Sequence, residues 1–98
     1  MGGMNAGSLV LIERHPSPMK LDVMGVDEWP LHQSGSARFE RSYQETETCY
    51  VVSGEAVVTP HGGGDPVCLQ EGDLVSLLPG LTCTWELRGE FSMHHRAG

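Results

Sequence analysis

ETCYVVSGEAVVTP, residues 47–60, contains two runs of β-forming residues, Thr48 to Ser53 and Glu55 to Pro60, on either side of Gly54. β-Branched and aromatic residues favour strands, and a glycine between two such runs supplies the positive φ that a tight turn requires. The stretch therefore predicts an antiparallel hairpin that turns at Gly54.

Similar runs recur on both sides of this hairpin. The other predicted strands are residues 9–14, 37–43, 67–70, 74–78, 82–88 and 91–96. Turn residues separate them, residues 61–66 form a glycine-rich loop, and residues 20–31 are irregular, with a turn at Met24-Gly25. Many short strands joined by short connections indicate an all-β fold, a small antiparallel β-barrel.

The length of the chain sets the domain organisation. A chain of 98 residues builds one hydrophobic core, and its 13 glycines and six prolines oppose long helices. We expect a flexible N-terminus over residues 1–8 and a single domain over residues 9–98.

The net charge of the chain excludes some classes of binding partner. A net charge of −7 argues against nucleic acid and anionic membranes as partners, because a protein that binds either of them needs a cationic face. Because Lys and Arg total only six, an arginine inside a pocket is expected to select an anion, which makes Arg41 a candidate.

Three cysteines without close paired spacing indicate reduced thiols and a cytoplasmic protein, or an organellar one if the chain is a mature form.

An ordered set of motifs resembles a known family. The matching residues are Glu47-Thr48-Cys49-Tyr50, Gly54, Gly72-Asp73-Leu74-Val75, Pro79-Gly80, Cys83-Thr84-Trp85 and His94. Together they resemble the small single-domain cupins related to ureidoglycine aminohydrolase and the ethanolamine-utilisation cupin, over roughly residues 9 to 96. The resemblance implies a cupin jelly-roll barrel that encloses a site for a small molecule.

The same resemblance implies a degenerate metal site. Cupins hold a metal with two histidines and a glutamate from one motif and a histidine from a second motif; here these positions carry Arg41, Tyr43, Glu47 and Cys83. Arginine has no lone pair to donate and repels a cation, so no metal is expected. The alternative is a divalent metal held by Glu47, Cys83 and His94. The chain also departs from the small cupins at Arg41, where Trp is usual, and at His95, where Tyr is usual.

Strand alternation predicts which side chains meet. It places Arg41, Tyr43 and Glu47 on one face, with Cys83 and Trp85 directed into the same interior. A buried Glu47 requires a partner, so we expect an interaction with Arg41 or a ligand shared between them. The alternative is that both point to solvent, or form a pair that only stabilises the barrel.

The other candidate side chains carry open alternatives. Cys83 has three alternative roles: a thiolate that binds a metal, a reactive nucleophile, or a small buried hydrophobic residue. Trp85 has two: an apolar wall that contacts the ligand, or a residue that only fills the core. Adjacent strand residues face opposite ways, so only one of His94 and His95 reaches the pocket, and the family match favours His94. Cys49 is expected to face as Glu47 does, and Cys68 to lie in the core.

Two functional hypotheses follow. In the first, a metal-free cupin binds a small anionic or hydroxylated metabolite through Arg41, Tyr43 and Glu47, above Trp85. In the second, a small aminohydrolase-like enzyme uses Glu47 as acid, base or metal ligand, so enzymatic activity stays open. A third reading is a barrel that serves only as an assembly subunit. We also expect a homodimer formed through the exposed edge of residues 9–12.

Overall fold

The computed structural model describes residues 9–98, so the flexible terminus predicted for residues 1–8 lies outside the described residues. The elements in chain order are β1 (Val10–Arg14), α1 (Pro18–Met24), a 3-10 helix (Val26–Glu28), β2 (Leu31–Ser34), β3 (Ala37–Ser42), β4 (Glu47–Pro60), β5 (Val67–Gln70), β6 (Asp73–Leu77) and β7 (Thr82–Ala97). Within this range no helix is long and apolar enough to cross a membrane.

The seven strands form one antiparallel sheet. Its path runs β1-β6-β4-β7-β2, with β3 paired to β7 and β5 paired to β4. The long strands β4 and β7 each contribute to both halves of the barrel, because different parts of them pair with different neighbours. The predicted all-β antiparallel barrel is confirmed.

The predicted hairpin at Gly54 is wrong, because β4 continues through this residue. Its pairing with β7 shifts register between Val51 and Ser53 and again between Ser53 and Glu55. The buried side chains accordingly change from Glu47, Cys49 and Val51 to Ala56, Val58 and Pro60, which is the effect of a β-bulge. Gly54 has φ +88°, and a Cβ there would collide with the Glu90 carbonyl oxygen. The glycine thus bends a continuous strand over the core.

The segment predicted to be irregular contains a helix and part of a strand. Ser17 caps α1 by accepting from the Lys20 backbone N–H, Pro18 occupies the first turn, and Gly25 ends the helix at φ +70°. These are ordinary helix boundary signals, and the turn predicted at Met24-Gly25 is the C-terminal cap. None of the residues of α1 is buried.

The core lies between the two halves of the barrel. Trp85 is 1% exposed, and its ring stacks on Phe39 with centroids 6.2 Å apart and planes 9° from parallel. The other buried core residues include Val51, Val58, Leu69, Val75, Leu77, Leu81, Leu87, Phe91 and Met93. Cys68 was expected in this core but is exposed. β1 pairs with β6 within the chain, and the homodimer through its other edge stays a prediction.

Candidate functional site

Arg41 and Glu47 meet at one end of the barrel. Arg41 lies opposite Cys83 in the β3–β7 register, whereas Glu47 pairs with Leu77 of β6 and with Ala97 at the far end of β7. Because β7 is folded over, its first and last residues reach the same end of the molecule. We call this end the barrel mouth, defined by the five residues Arg41, Tyr43, Glu47, Cys83 and His95.

The predicted interaction between Arg41 and Glu47 is present. Arg41 Nη2 donates to Glu47 Oε1 at 3.1 Å, and the two side chains are 44% and 11% exposed. The guanidinium also lies over the Tyr43 ring, with Cζ 5.2 Å from the ring centroid, which is within cation–π range. Arg41 therefore presents a half-exposed cation that two neighbours hold in place.

Tyr43 and Trp85 form the floor of the mouth. The Trp85 Nε1–H donates to the Tyr43 hydroxyl oxygen at 2.9 Å, and both side chains are buried. Burial raises the pKa of Tyr43 well above its ordinary value, although the Trp85 hydrogen bond acts in the opposite direction. The phenol is therefore neutral and keeps its proton. Trp85 supports the floor from below and, being fully buried, is not a surface of the mouth.

Cys83 lies at the mouth as a neutral thiol. Burial raises its pKa to about 11, and the opposing effect of the Arg41 charge is smaller. Burial also raises the pKa of Cys49, with Glu47 acting in the same direction. A nucleophile or a metal ligand requires the thiolate. Among the three alternatives for Cys83, the structure favours the small buried hydrophobe.

The two adjacent histidines of β7 face opposite sides, and the choice of His94 is wrong. His94 Nδ1 lies 3.0 Å from the Trp29 carbonyl oxygen, in an outer groove of about 390 Å³ that α1 and Tyr50 help to line. His95 takes the inward position, with Nδ1 3.6 Å from Glu47 Oε2. The structure thus brings together five predicted residues, Arg41, Tyr43, Glu47, Cys83 and Trp85, and replaces the sixth with His95.

Comparisons with known proteins agree with this architecture. A family model described as the EutQ-like cupin domain matches residues 21–94. The chain belongs to this cupin family. A DUF861 family protein from Thermotoga maritima is 32% identical to this cupin, with a TM-score of 0.84 over 91% of this chain and 99% of that chain.

More distant structures share the fold alone. The EutQ protein of Clostridium difficile is 15% identical, with a TM-score of 0.61 over 68% of this cupin and 52% of that chain. A cupin superfamily protein from Desulfitobacterium hafniense is 14% identical, with a TM-score of 0.55 over 97% of this cupin and 80% of that chain. No curated protein matches the sequence.

The metal that cupins commonly hold does not fit the mouth of this cupin. At the corresponding positions the structure places a guanidinium cation paired with Glu47, together with a neutral phenol and a neutral thiol. Protonated donors and a fixed cation oppose a divalent ion. The alternative set of Glu47, Cys83 and His94 does not converge, because His94 faces outward. Over residues 9–98 no three His, Cys, Asp or Glu side chains form a group that could hold a metal ion.

Proposed function

We propose that this cupin binds a small anionic or hydroxylated metabolite at the barrel mouth, with Arg41 as the principal recognition group. The observation that carries the proposal is the state of the guanidinium, which is 44% exposed yet held over Tyr43 and against Glu47. A cation that is oriented before a ligand arrives loses little conformational entropy on binding. Arginine also offers several N–H donors in a fixed fork, which suits carboxylate, phosphate and hydroxyl oxygens.

The charge of the whole chain supports a local rather than a general attraction. A protein of net charge −7 repels anions at long range. An anionic ligand must therefore be selected by a specific cation at short range, where screening by salt matters less. Arg41 at the mouth is such a cation, and the buried Tyr43 beneath it holds the guanidinium in place.

A thermal-shift screen tests the proposal. The protein is heated with a panel of small carboxylates, phosphates and polyols, and the experiment is repeated with Arg41→Ala. A ligand at about 100 times its Kd stabilises a protein by about 2.7 kcal/mol, which raises the Tm of a domain of this size by several degrees. We expect at least one anionic or hydroxylated member to raise the Tm of the wild type, and Arg41→Ala to abolish that shift.

Arg38→Ala is the matched control. Arg38 lies on the same strand, β3, and is exposed, but strand alternation directs it to the opposite face from Arg41. Arg38→Ala lowers the net charge of the protein by the same amount as Arg41→Ala does. It should leave the ligand-induced rise in Tm unchanged. A shift that survives in Arg41→Ala, or a panel that contains no ligand, would contradict the proposal.

A further inference from the structure

The Glu47 carboxylate bridges two potential donors, one with each oxygen. Oε1 accepts from Arg41 Nη2 at 3.1 Å, and Oε2 lies 3.6 Å from His95 Nδ1. The second contact is too long for a hydrogen bond. Within residues 9–98, Glu47 has no hydrogen bond from a backbone N–H; only side chains hold its carboxylate.

We propose that the ligand is a small carboxylate that takes the position of the Glu47 carboxylate between Arg41 and His95. This rests on the proposed function and extends it in two ways. Glu47 is an internal competitor, which occupies the anion site until a ligand displaces it. His95 is the second recognition residue, in place of the His94 that the family resemblance favoured.

The geometry favours a carboxylate because the site already accommodates one. Arg41 and His95 approach the two oxygens of a planar group from different strands, β3 and β7, and the Tyr43 ring lies under the guanidinium. A free carboxylate can present the same two oxygens and can also approach His95 within hydrogen-bond distance. Two charge-assisted hydrogen bonds to one anion are stronger and more selective than one.

Displacement of Glu47 is energetically accessible. The Arg41 side chain is 44% exposed, and ion pairs with a partner in contact with water contribute little to stability. The Glu47 side chain retains 11% exposure at the mouth, so a change of rotamer can return its carboxylate to water. Arg41 remains paired throughout, because the incoming anion replaces the outgoing one.

The experiment titrates the full chain with glycolate, and with glycolamide as the neutral isostere, while recording backbone amide shifts by NMR. In Glu47→Gln the internal competitor is removed, and we expect the Kd for glycolate to fall roughly tenfold, which corresponds to about one charged interaction. Glycolamide should produce no comparable change in either protein. In the Glu47→Gln background, His95→Gln should weaken glycolate binding severalfold.

His94→Gln is the matched control for His95. The two histidines are neighbours on β7, but His94 contacts the Trp29 carbonyl on the outer face. Its replacement removes the same chemical group and should leave the Kd for glycolate unchanged. If Glu47→Gln does not give a folded spectrum, Glu47→Asp makes the same comparison, because the shorter side chain withdraws the carboxylate from both partners.

Several results would overturn this inference. One is weaker glycolate binding in Glu47→Gln than in the wild type, and another is an equal loss of glycolate affinity in His95→Gln and His94→Gln. The others are a preference for inorganic phosphate over glycolate, and no response to glycolate in either the wild type or Glu47→Gln. The proposed function is decided separately, because a panel ligand that depends on Arg41 supports it whether or not Glu47 competes and His95 contributes.

Discussion

Two arginine–carboxylate pairs with a largely buried carboxylate lie in different regions of this cupin, among the described residues, and they are built differently. At the mouth, Arg41 pairs with Glu47; elsewhere in the barrel, Arg14 of β1 pairs with Asp73 of β6. The arginines are similarly exposed, at 44% and 49%, and both carboxylates are largely buried. The difference lies in the other groups that hold each pair.

Backbone groups hold the Arg14–Asp73 pair. Asp73 Oδ2 accepts from the Gln70 backbone N–H at 2.9 Å as well as from Arg14, and Arg14 Nη1 also donates to the Cys68 carbonyl oxygen at 3.1 Å. The pair therefore joins β1 to the turn between β5 and β6. Among the described residues, Glu47 in contrast accepts a side-chain hydrogen bond from Arg41 and lies near His95, with no backbone N–H donor. A pair anchored to the backbone serves the fold, whereas one held by side chains can exchange partners.

The largest expected effect is on stability, and it separates the two pairs. Asp73→Asn removes the charge of a fully buried carboxylate that accepts two hydrogen bonds, so we expect a loss of about 2–3 kcal/mol in the free energy of unfolding. Glu47→Gln should lose less than about 1 kcal/mol, because the Arg41 cation it leaves is in contact with water. Urea denaturation of both variants measures the difference, and equal losses would remove the distinction.

An intermediate effect is expected in the floor of the mouth. Tyr43→Phe leaves the buried Trp85 N–H without its acceptor, which should cost about 1–2 kcal/mol of unfolding free energy. A loss of this size would indicate that Tyr43 and Trp85 form a rigid support beneath an exchangeable ion pair. Tyr50→Phe is the matched control, because Tyr50 lines the outer groove and is only half-buried. Urea unfolding followed by tryptophan fluorescence should show the Tyr50 variant within about 0.5 kcal/mol of wild type.

The sequence predicted most of the barrel and most of the mouth, because both follow from strand alternation. Side chains at Arg41, Tyr43 and Glu47 meet Cys83 above Trp85, as period-two counting indicates. The predicted turn at Gly54 was wrong because a glycine permits a bulge as readily as a hairpin. Only the close approach of the Glu90 backbone, which is a tertiary contact, distinguishes the two.

The misassigned histidine had a signal in the sequence. Counting in twos along β7 from the inward-facing Cys83 reaches Phe91, Met93 and His95, and the structure buries Phe91 and Met93. The family resemblance favoured His94 and outweighed this alternation. Arg41 and His95, two positions at which the chain departs from the small cupins, are the two that contact Glu47. The helix α1 was missed because it buries no residue, although Ser17, Pro18 and Gly25 carry its boundary signals.

The smallest effect is expected at the thiols, since each arginine also lies beside a cysteine. Arg14 donates to the carbonyl of the exposed Cys68, and Arg41 lies opposite the buried Cys83. The Arg41 charge alone would favour the Cys83 thiolate, but burial has the larger effect and raises the pKa of this thiol to about 11. At pH 7.5 the folded protein should therefore be alkylated by iodoacetamide at Cys68, with almost no change at Cys83, as measured by peptide mass spectrometry.

Arg41→Ala should not increase the labelling of Cys83, because the Arg41 charge lowers the pKa of this thiol and its loss makes the thiolate still rarer. Labelling of Cys83 at the rate of Cys68 would mean that the mouth opens to solvent, and the distinction between a rigid floor and an exchangeable pair would then have to be abandoned.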